Sequence, residues 1–301
     1  MPFFSVIIPT FNREKIISTA IDSVFNQSFK DFEILVIDNG STDNTKKIIL
    51  DKFPDKRIRY IYQSASGTPA LPRNKGIKLS QGKWLCFLDS DDKWSPNKLE
   101  KIYEFICNEE SLDVICHNEQ MWSPLNNKIN NLLRYGPDSA DLYKVMFLSG
   151  NRLSTSATSV KRSFLVEKEL EFNTSRDFCM VEDYHLWLML AFYKAKFLFI
   201  DDVLGFYRVG NQNLISNRKL FCNNLENLLK FHTRHVQNFE SNKERLWSKL
   251  KIRGQICTIR YSNENQIIKF LRFLSLFLKN PKGFVFNVVL YARRKIIDYL
   301  F

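Results

Sequence analysis

The 301-residue sequence lacks the features that mark several common classes of protein. It contains no Walker loop, no GxGxxG and no nucleophile elbow, so the common phosphate-binding loops and serine hydrolases are excluded. No stretch of 18 residues is free of charge, and the first ten residues have no basic segment. The sequence therefore predicts neither a transmembrane helix nor a signal peptide.

Cysteine and histidine are both scarce, and their spacing argues against a metal cluster. The chain has four histidines, and its six cysteines form no CxxC pair and no other metal-ligand spacing. Most of the cysteines have apolar neighbours, which predicts reduced core residues in a cytosolic protein rather than a disulfide framework. The six are Cys86, Cys107, Cys116, Cys179, Cys222 and Cys257.

The composition is that of a folded chain with two differently charged regions. Apolar residues make up 45% and aromatic residues 14%, which is enough for a sizeable core. Residues 1–210 hold 27 basic and 27 acidic residues, whereas residues 211–301 hold 17 and 5, the whole excess of +12. This split predicts two domains, 1–210 and 211–301, the second with a polyanionic partner such as nucleic acid or an anionic lipid surface.

The first hundred residues alternate short apolar runs with amphipathic segments, a pattern typical of an α/β fold with a mostly parallel sheet. We expect strands at 3–9, 32–38, 58–63 and 84–88. Asn12 is expected to cap a helix over 14–26. Further along, 182–194 is predicted to be a helix and 196–208 a pair of strands. The chain from about 214 onward is predicted to be helical and basic.

Polar residues follow three of these strands, where ligands bind in open α/β sheets. They are residues 10–12, 38–41 and the acidic run 89–92. Three carboxylates within four positions repel one another unless a cation or a donor network neutralises them, and their oxygen ligands suit Mg²⁺ or Mn²⁺. The alternative is a solvated acidic turn that caps the helix beginning near residue 96.

Four segments together resemble the ordered motifs of family 2 glycosyltransferases. They are residues 4–13 (FSVIIPTFNR), 37–43 (IDNGSTD), 73–76 (RNKG) and 87–92 (FLDSDD). The resemblance covers about residues 3–210. It implies the GT-A fold, which is Rossmann-like with helices on both faces of the sheet, a nucleotide-diphosphate-sugar donor, a divalent cation and usually inversion at the anomeric carbon.

The same resemblance assigns the site residues. Asp91 would bind Mn²⁺ or Mg²⁺, and Asp92 would support it. Asp38 would contact the nucleotide base or support its loop, and Asn39 replaces an aspartate that is frequent in the family. Nucleotide-sugar contacts are assigned to Pro9, Thr10, Phe11, Asn12, Asp38, Asn39, Arg73, Asp89 and Ser90.

A second acidic pair, Glu182 and Asp183, resembles the family's Glu-Asp pair. It would supply Asp183 as the base that takes the proton of the acceptor hydroxyl, with Glu182 in support. The alternative is that both are helix N-terminal acids favoured by the dipole. Arg208 belongs to a Tyr-Arg element that in the family is often followed by histidine two positions on, where this chain has Gly210.

The remaining histidine and C-terminal patterns carry weaker signals. His232 and His235 are three positions apart on a basic helix and are interpreted as a solvated surface pair. Two apolar runs, 267–278 and 284–291, are followed by Arg293, Arg294 and Lys295. They fit either a packed helix pair or helices lying on an anionic leaflet. No nucleic-acid motif accompanies the charge.

These observations favour a cytoplasmic glycosyltransferase that is peripheral on the inner face of the plasma membrane. It would transfer a sugar, most simply from a UDP-sugar, to a glycan or lipid-linked oligosaccharide acceptor, with the oligomeric state left open. The alternatives are a sugar nucleotidyltransferase, or a non-catalytic nucleotide-binding or membrane scaffold on the same fold.

Overall fold

The computed structural model describes residues 1–123, 131–209, 217–262 and 264–300, with side chains described as far as residue 290. Gly210 and the side chains of Arg293, Arg294 and Lys295 therefore lie outside the described residues. The chain divides into two compact units. The first contains 1–138, 152–172 and 189–210, and the second contains 139–151, 173–188 and 211–301.

The first unit is built on one mixed sheet. Its strands in the described residues are β1 (Phe4–Thr10), β2 (Phe32–Asp38), β3 (Ile58–Tyr62), β4 (Trp84–Phe87), β5 (Lys93–Trp94), β6 (Val114–Trp122), β7 (Leu132–Leu133), β8 (Thr158–Lys161) and β9 (Phe197–Arg208). They run in the order β3-β2-β1-β4-β8-β6-β9-β5, and β7 pairs with β6. The strands β1 to β4 are parallel to one another, whereas β8 runs antiparallel to both β4 and β6.

In the described residues of the first unit, five helices pack on the sheet through apolar faces. One large core cluster joins Phe4, Val6 and Ile8 of β1 to the first and fourth of these helices. Ile7 points the other way, toward Gly76 of the third helix, where a Cβ would collide with the Ile7 side chain. The helices are α1 (Ile17–Phe25), α2 (Thr45–Lys52), α3 (Ala70–Leu79), α4 (Lys98–Asn108) and α6 (Arg162–Glu167).

The second unit is helical in the part that the structure describes. Its helices are α5 (Leu142–Ser149), the start of α7 (Glu182–Phe192), α8 (Arg218–Phe231), α9 (Lys243–Tyr261), α10 (Gln266–Lys279) and α11 (Pro281–Leu300). It also contains a 3₁₀ turn at Arg176–Phe178 and a π-helical turn at His232–Val236. Within this unit α9 packs against α8 and α11.

Four expectations from the sequence are corrected by the structure. The segment 196–208 contains one long strand, Phe197–Arg208, instead of two, because β9 pairs with β6 on both sides of an irregularity near Asn118. Asn12 does not cap α1, which begins at Ile17 without a side-chain cap. His232 is buried and is not part of a solvated surface pair, although His235 is exposed.

The fourth correction concerns the cysteines. Cys222 and Cys257 form a disulfide between α8 and α9, so the expectation that all six cysteines are reduced is wrong for this pair. Packing of the two helices brings the Cα atoms within 5.8 Å, a distance that sequence spacing does not reveal. Among the free cysteines, Cys86 and Cys116 are buried as expected, whereas Cys107 is exposed.

Candidate active site

The polar strand ends lie side by side, as the sequence predicts for a parallel sheet. Thr10 at the end of β1 pairs in register with Asp38 at the end of β2. On the other side of β1, Leu88 continues β4 by donating its amide hydrogen to the Ile7 carbonyl at 3.0 Å. The three loops that leave β1, β2 and β4 therefore share one edge of the sheet, where ligands of open α/β sheets bind.

The loops after β1 and β2 are fastened to each other by side-chain hydrogen bonds. Asn12, with φ of 52°, receives the Thr42 amide on its Oδ1 at 2.8 Å and donates its own amide to Ser41 Oγ at 2.9 Å. Arg13 donates its amide to Thr45 Oγ1 at 2.8 Å. The Asn12 side chain thus holds the second loop instead of capping α1, and Phe11 between them stays half exposed at 49%.

Asp38 is a support of its loop in this structure. The carboxylate is 1% exposed, and both oxygens accept hydrogen bonds: Oδ1 from the Ser41 amide at 2.8 Å, and Oδ2 from the Tyr60 hydroxyl at 2.5 Å. Burial, and then the hydrogen bond to Asp38, raise the pKa of the Tyr60 hydroxyl. Both oxygens are thus engaged within the protein, and whether Asp38 contacts the nucleotide base or only supports its loop stays a prediction.

Asn39 is also committed to the protein. Its Oδ1 accepts from Gln63 Nε2 at 3.0 Å, from the Ser66 amide at 3.1 Å and from Ser66 Oγ at 2.9 Å. Its Nδ2 donates to the Thr68 carbonyl at 3.4 Å. An aspartate could not make the last bond, so the amide fits the role of fixing the segment 63–68 beside the sheet edge.

The acidic turn after β4 distributes its three carboxylates among different partners. Asp89 Oδ1 accepts from the Arg73 guanidinium at 2.6 Å, and Arg73 is 4% exposed. Asp92 is 2% exposed and accepts from Ser156 Oγ at 2.6 Å and from the Arg208 amide at 2.8 Å. Asp92 therefore ties the turn to β9, and Arg73 holds Asp89 in place.

Asp91 is the carboxylate of the three that forms no hydrogen bond or ion pair with a side chain in the part of the chain that the structure describes. Burial and the negative charge of Asp89 raise its pKa, while the charges of Arg13 and Arg208 act in the opposite direction. Burial, Glu119 and the neighbouring aspartates raise the pKa of Asp92 well above its usual value. These raised pKa values mean that the ionised carboxylates of the turn repel one another, and a bound cation would favour their ionised forms.

Arg73 acts with two neighbours in α3 that the sequence resemblance also includes. Asn74 exchanges hydrogen bonds with the Phe172 backbone, as Nδ2 donates to the carbonyl and Oδ1 accepts from the amide, both at 2.8 Å. The Arg73 guanidinium lies 5.2 Å from the centre of the Phe172 ring. Together with the close approach of Gly76 to Ile7, these contacts explain physically why these residue types stand in this segment.

The sequence reasoning missed a buried polar cluster on β6 and α4, in the same unit. Glu119 is fully buried, and its Oε2 accepts from the Tyr135 hydroxyl at 2.8 Å. Desolvation is the main cause that raises the pKa of Glu119 to about 7, and burial lowers the pKa of Lys98 to about 8. Lys98 Nζ lies over the Trp94 ring, 3.2 Å from its centre, and has no hydrogen-bond partner among the described residues. The signal available in the sequence was the run of polar residues 117–120 (HNEQ) within a strand whose other residues are apolar.

A divalent cation fits this site through few protein ligands. No group of three His, Cys, Asp or Glu side chains is arranged around a cation position in residues 1–123, 131–209, 217–262 or 264–290. Asp91 nevertheless offers an oxygen in a negatively charged turn, and Mg²⁺ commonly binds one or two carboxylates and takes its other ligands from substrate phosphates and water. The donor set of the turn is thus compatible with Mn²⁺ or Mg²⁺ held by Asp91.

The second acidic pair lies in the second unit, at the first turn of α7. Glu182 is 4% exposed, and Asp183 uses Oδ1 to accept the Tyr184 amide hydrogen at 2.7 Å. Two residues further on, His185 Nδ1 lies 3.0 Å from His232 Nε2, and His232 Nδ1 lies 3.2 Å from the Tyr143 hydroxyl. Burial lowers the pKa of His185 to about 4, so this histidine is neutral at physiological pH.

Comparison with known proteins agrees with this picture. The model of the family described as glycosyl transferase family 2 matches residues 5–153. An uncharacterized glycosyltransferase of Haemophilus influenzae is 31% identical over 222 residues, which cover 72% of this chain and 84% of that protein. The putative teichuronic acid biosynthesis glycosyltransferase TuaG of Bacillus subtilis is 40% identical over 107 residues, covering 35% of this chain and 42% of that protein.

A solved structure shows the same fold. S. aureus TarS 1-349, in complex with UDP-GlcNAc, has a TM-score of 0.62 to this chain at 22% identity, covering 94% of this chain and 79% of that one. At this identity the likeness concerns the fold alone. It confirms the α/β fold of GT-A type, with a helical C-terminal region, that the sequence predicts.

Proposed function

The chain belongs to glycosyltransferase family 2 and is a glycosyltransferase, and we propose that it transfers a sugar from a UDP-sugar to a hydroxyl group of a glycan or lipid-linked acceptor. The observation that carries the proposal is the acidic turn 89–92 at the edge shared by β1, β2 and β4. Its Asp91 is partly covered, and within the described residues no side chain forms a hydrogen bond with it, so its carboxylate is available to a cation that would also bind the donor diphosphate.

Asp91 would hold Mn²⁺ or Mg²⁺, which when bound would neutralise the charge that develops on the diphosphate leaving group. The protein prepares this position in two ways. Arg73 keeps Asp89 turned toward α3, and Ser156 with the Arg208 amide keeps Asp92 engaged. The nucleoside would lie along the edge formed by the loops after β1 and β2, with half-exposed Phe11 available for stacking on the base.

Asp183 is proposed as the base that takes the proton of the acceptor hydroxyl. Its Oδ1 is fixed by the Tyr184 amide, so the carboxylate is oriented from the first turn of α7. A base of this kind, acting on the face opposite the leaving group, would give a product with inverted anomeric configuration by direct displacement. The neutral histidines His185 and His232 lie next along the helix and add no charge beside this carboxylate.

The donor and acceptor classes are supported by the relatives. TarS, which shares the fold, has been solved in complex with UDP-GlcNAc, and TuaG is named for teichuronic acid biosynthesis. We therefore propose a UDP-sugar as donor and a hydroxyl of a cell-surface polysaccharide or its lipid-linked precursor as acceptor. Because the amide of Asn39 is already used inside the protein, base selectivity would depend on the backbone of the edge loops and on Phe11.

The metal proposal is tested with Asp91→Asn and a matched control, Asp51→Asn, at an exposed position of α2. Calorimetric titration of UDP with and without Mn²⁺ should show that the Asp91 variant loses the Mn²⁺-dependent part of the affinity. The control should keep it. Transfer activity that persists in the Asp91 variant in the presence of a chelator would refute metal dependence at this turn.

The proposed base is tested with Asp183→Asn, beside Asp177→Asn as an exposed control in the same unit. The Asp183 variant should bind UDP-sugar with unchanged affinity and lose kcat by roughly a hundredfold or more, since the amide accepts no proton. Proton NMR of the wild-type product should show the inverted anomer. A product that retains the donor configuration would refute direct displacement, and release of pyrophosphate from a nucleoside triphosphate would instead indicate a nucleotidyltransferase.

A further inference from the structure

Helix α10 (Gln266–Lys279) is oriented opposite to an ordinary surface helix. Surface helices turn their apolar stripe toward the core and their polar face toward water. In α10 no residue is buried, and all of its residues are described. The large apolar side chains that point outward are between 38% and 72% exposed: Ile267, Ile268, Phe270, Leu271, Leu274, Phe277 and Leu278.

These seven side chains form a coherent face. At about 100° per residue they fall within an arc of about 180°, at least as wide as a stripe that normally packs on a core. The intramolecular contacts lie on the remaining side, where Phe273 and Leu276 are half-buried, and along one edge of the arc: the Phe273 and Phe277 rings lie 6.5 Å and 5.7 Å from the Phe284 ring of α11. The helix is therefore attached by this side and this edge and presents its wide apolar face outward.

The charges around this face are mostly basic. Residues 264–290 contain four basic side chains, Lys269, Arg272, Lys279 and Lys282, and one acidic side chain, Glu264, which pairs with Arg272 at 2.8 Å. On the helical projection Arg272 and Lys279 lie along one edge of the apolar arc. A basic border beside a Leu- and Phe-rich face is the arrangement of helices that lie in the interface of an anionic bilayer, with the apolar side chains among the acyl chains and the cations at the lipid headgroups.

We propose that the outward face of α10 docks on an anionic lipid surface, with the helix axis parallel to the bilayer plane. The helix has 14 residues and is about 21 Å long, a length suited to lying in the interface. No helix in the described part of the chain is long and apolar enough to cross a membrane. A second copy of the chain fits less well, because a symmetric contact through this face would oppose the basic borders of the two copies.

The proposal is tested by co-sedimentation of the full chain with vesicles of phosphatidylcholine alone or with phosphatidylglycerol added. The wild type should bind the anionic vesicles at low salt. At about 1 M salt, where the Debye length is about 3 Å, binding should weaken but persist through the apolar face. Phe270→Ser/Leu274→Ser should lower partitioning on the order of a hundredfold, since two large apolar side chains are removed from the lipid contact.

Matched controls separate the two contributions. Leu50→Ser/Val166→Ser removes apolar side chains that are 52% and 58% exposed in the first unit, and it should leave vesicle binding unchanged. Lys279→Ser/Lys282→Ser should reduce binding to anionic vesicles by roughly tenfold and reduce the salt dependence, whereas Lys47→Ser/Lys52→Ser should not. Because the substituted side chains are exposed, all variants are expected to melt like the wild type.

Three results would overturn the proposal. The first is a wild type that stays in the supernatant with anionic vesicles at low salt. The second is a Phe270/Leu274 variant that binds vesicles as the wild type does. The third is a wild-type dimer in light scattering that this variant converts to a monomer, with no vesicle binding by either protein, which would make the face an interface between copies. Transfer to a soluble acceptor is measured in parallel and reports on the proposed function independently.

Discussion

Replacing Glu119 by glutamine should change how stability depends on pH. The Glu119 carboxyl is fully buried, and desolvation is the largest cause that raises its pKa from 4.5 to about 7. A carboxyl with a raised folded pKa binds its proton more strongly in the folded state. The fold therefore loses stability as pH rises from about 4.5, where the unfolded chain ionises, through about 7.

The shift of about 2.5 pKa units corresponds to a loss of about 3 kcal/mol above pH 7, at 1.36 kcal/mol per unit, and about half of this is already lost at pH 5.5. Glutamine stays neutral and can still accept from the Tyr135 hydroxyl. The free energy of unfolding of Glu119→Gln relative to wild type should thus rise by about 2 kcal/mol between pH 5.5 and pH 8.

Urea denaturation of both proteins at several pH values measures this difference directly. Glu104→Gln, at a carboxylate on α4 whose side chain is 52% exposed, is the control and should follow the wild type at every pH. Stability curves for Glu119→Gln and wild type that stay parallel between pH 5.5 and 8 would refute the raised pKa, because the only titrating group removed is this carboxyl.

Three further outcomes are expected. Tyr60→Phe removes the hydroxyl that donates to Asp38, and titration calorimetry should show that this variant binds UDP several-fold more weakly than wild type. An unchanged affinity would mean that Asp38 needs no such support. Cys222→Ser should lower the free energy of unfolding by about 2–4 kcal/mol, because the disulfide joins residues that are 35 positions apart. The difference from wild type should vanish in reductant. Equal stability of the two proteins in oxidising buffer would contradict the bond. His185, with its pKa lowered to about 4, should keep the NMR signal of a neutral imidazole at pH 5.5. The contribution of the neutral side chain to the stability of the fold should be lost as pH falls from 6.5 through 4. A titration midpoint near 6.5 would contradict the burial of this histidine.

Some of the fold and the site was accessible from the sequence because it depends on residues that are near one another in the chain. Short apolar runs that alternate with amphipathic segments located β1, β2, β3 and β4. The parallel pairing of β2, β1 and β4 brought Thr10, Asp38 and Asp89 to one edge of the sheet, as expected. The resemblance to family 2 glycosyltransferases rested on short contiguous motifs in the same loops. The roles assigned to Asp91 and Asp183 remain predictions.

What the sequence could not supply were the partners of these residues, because they come from distant segments. Arg73 meets Asp89 across 16 residues, Asp92 receives Ser156 across 64 and the Arg208 amide across 116. His185 and His232 approach across 47 residues, which is why His232 was wrongly expected to be solvated. Local periodicity gives no information on such pairs, because their members are far apart in the sequence.

The sequence by itself determined that α10 has one apolar face and a basic border, because a period of 3.6 residues is written directly in the order of its side chains. It did not determine which way that face points. Only the tertiary structure decided this, because the side with Phe273, together with Phe277 at the edge of the face, contacts α11, and the large apolar side chains of the face are left exposed. A periodic pattern defines a surface, but the packing of neighbouring helices decides whether that surface meets the core or its surroundings.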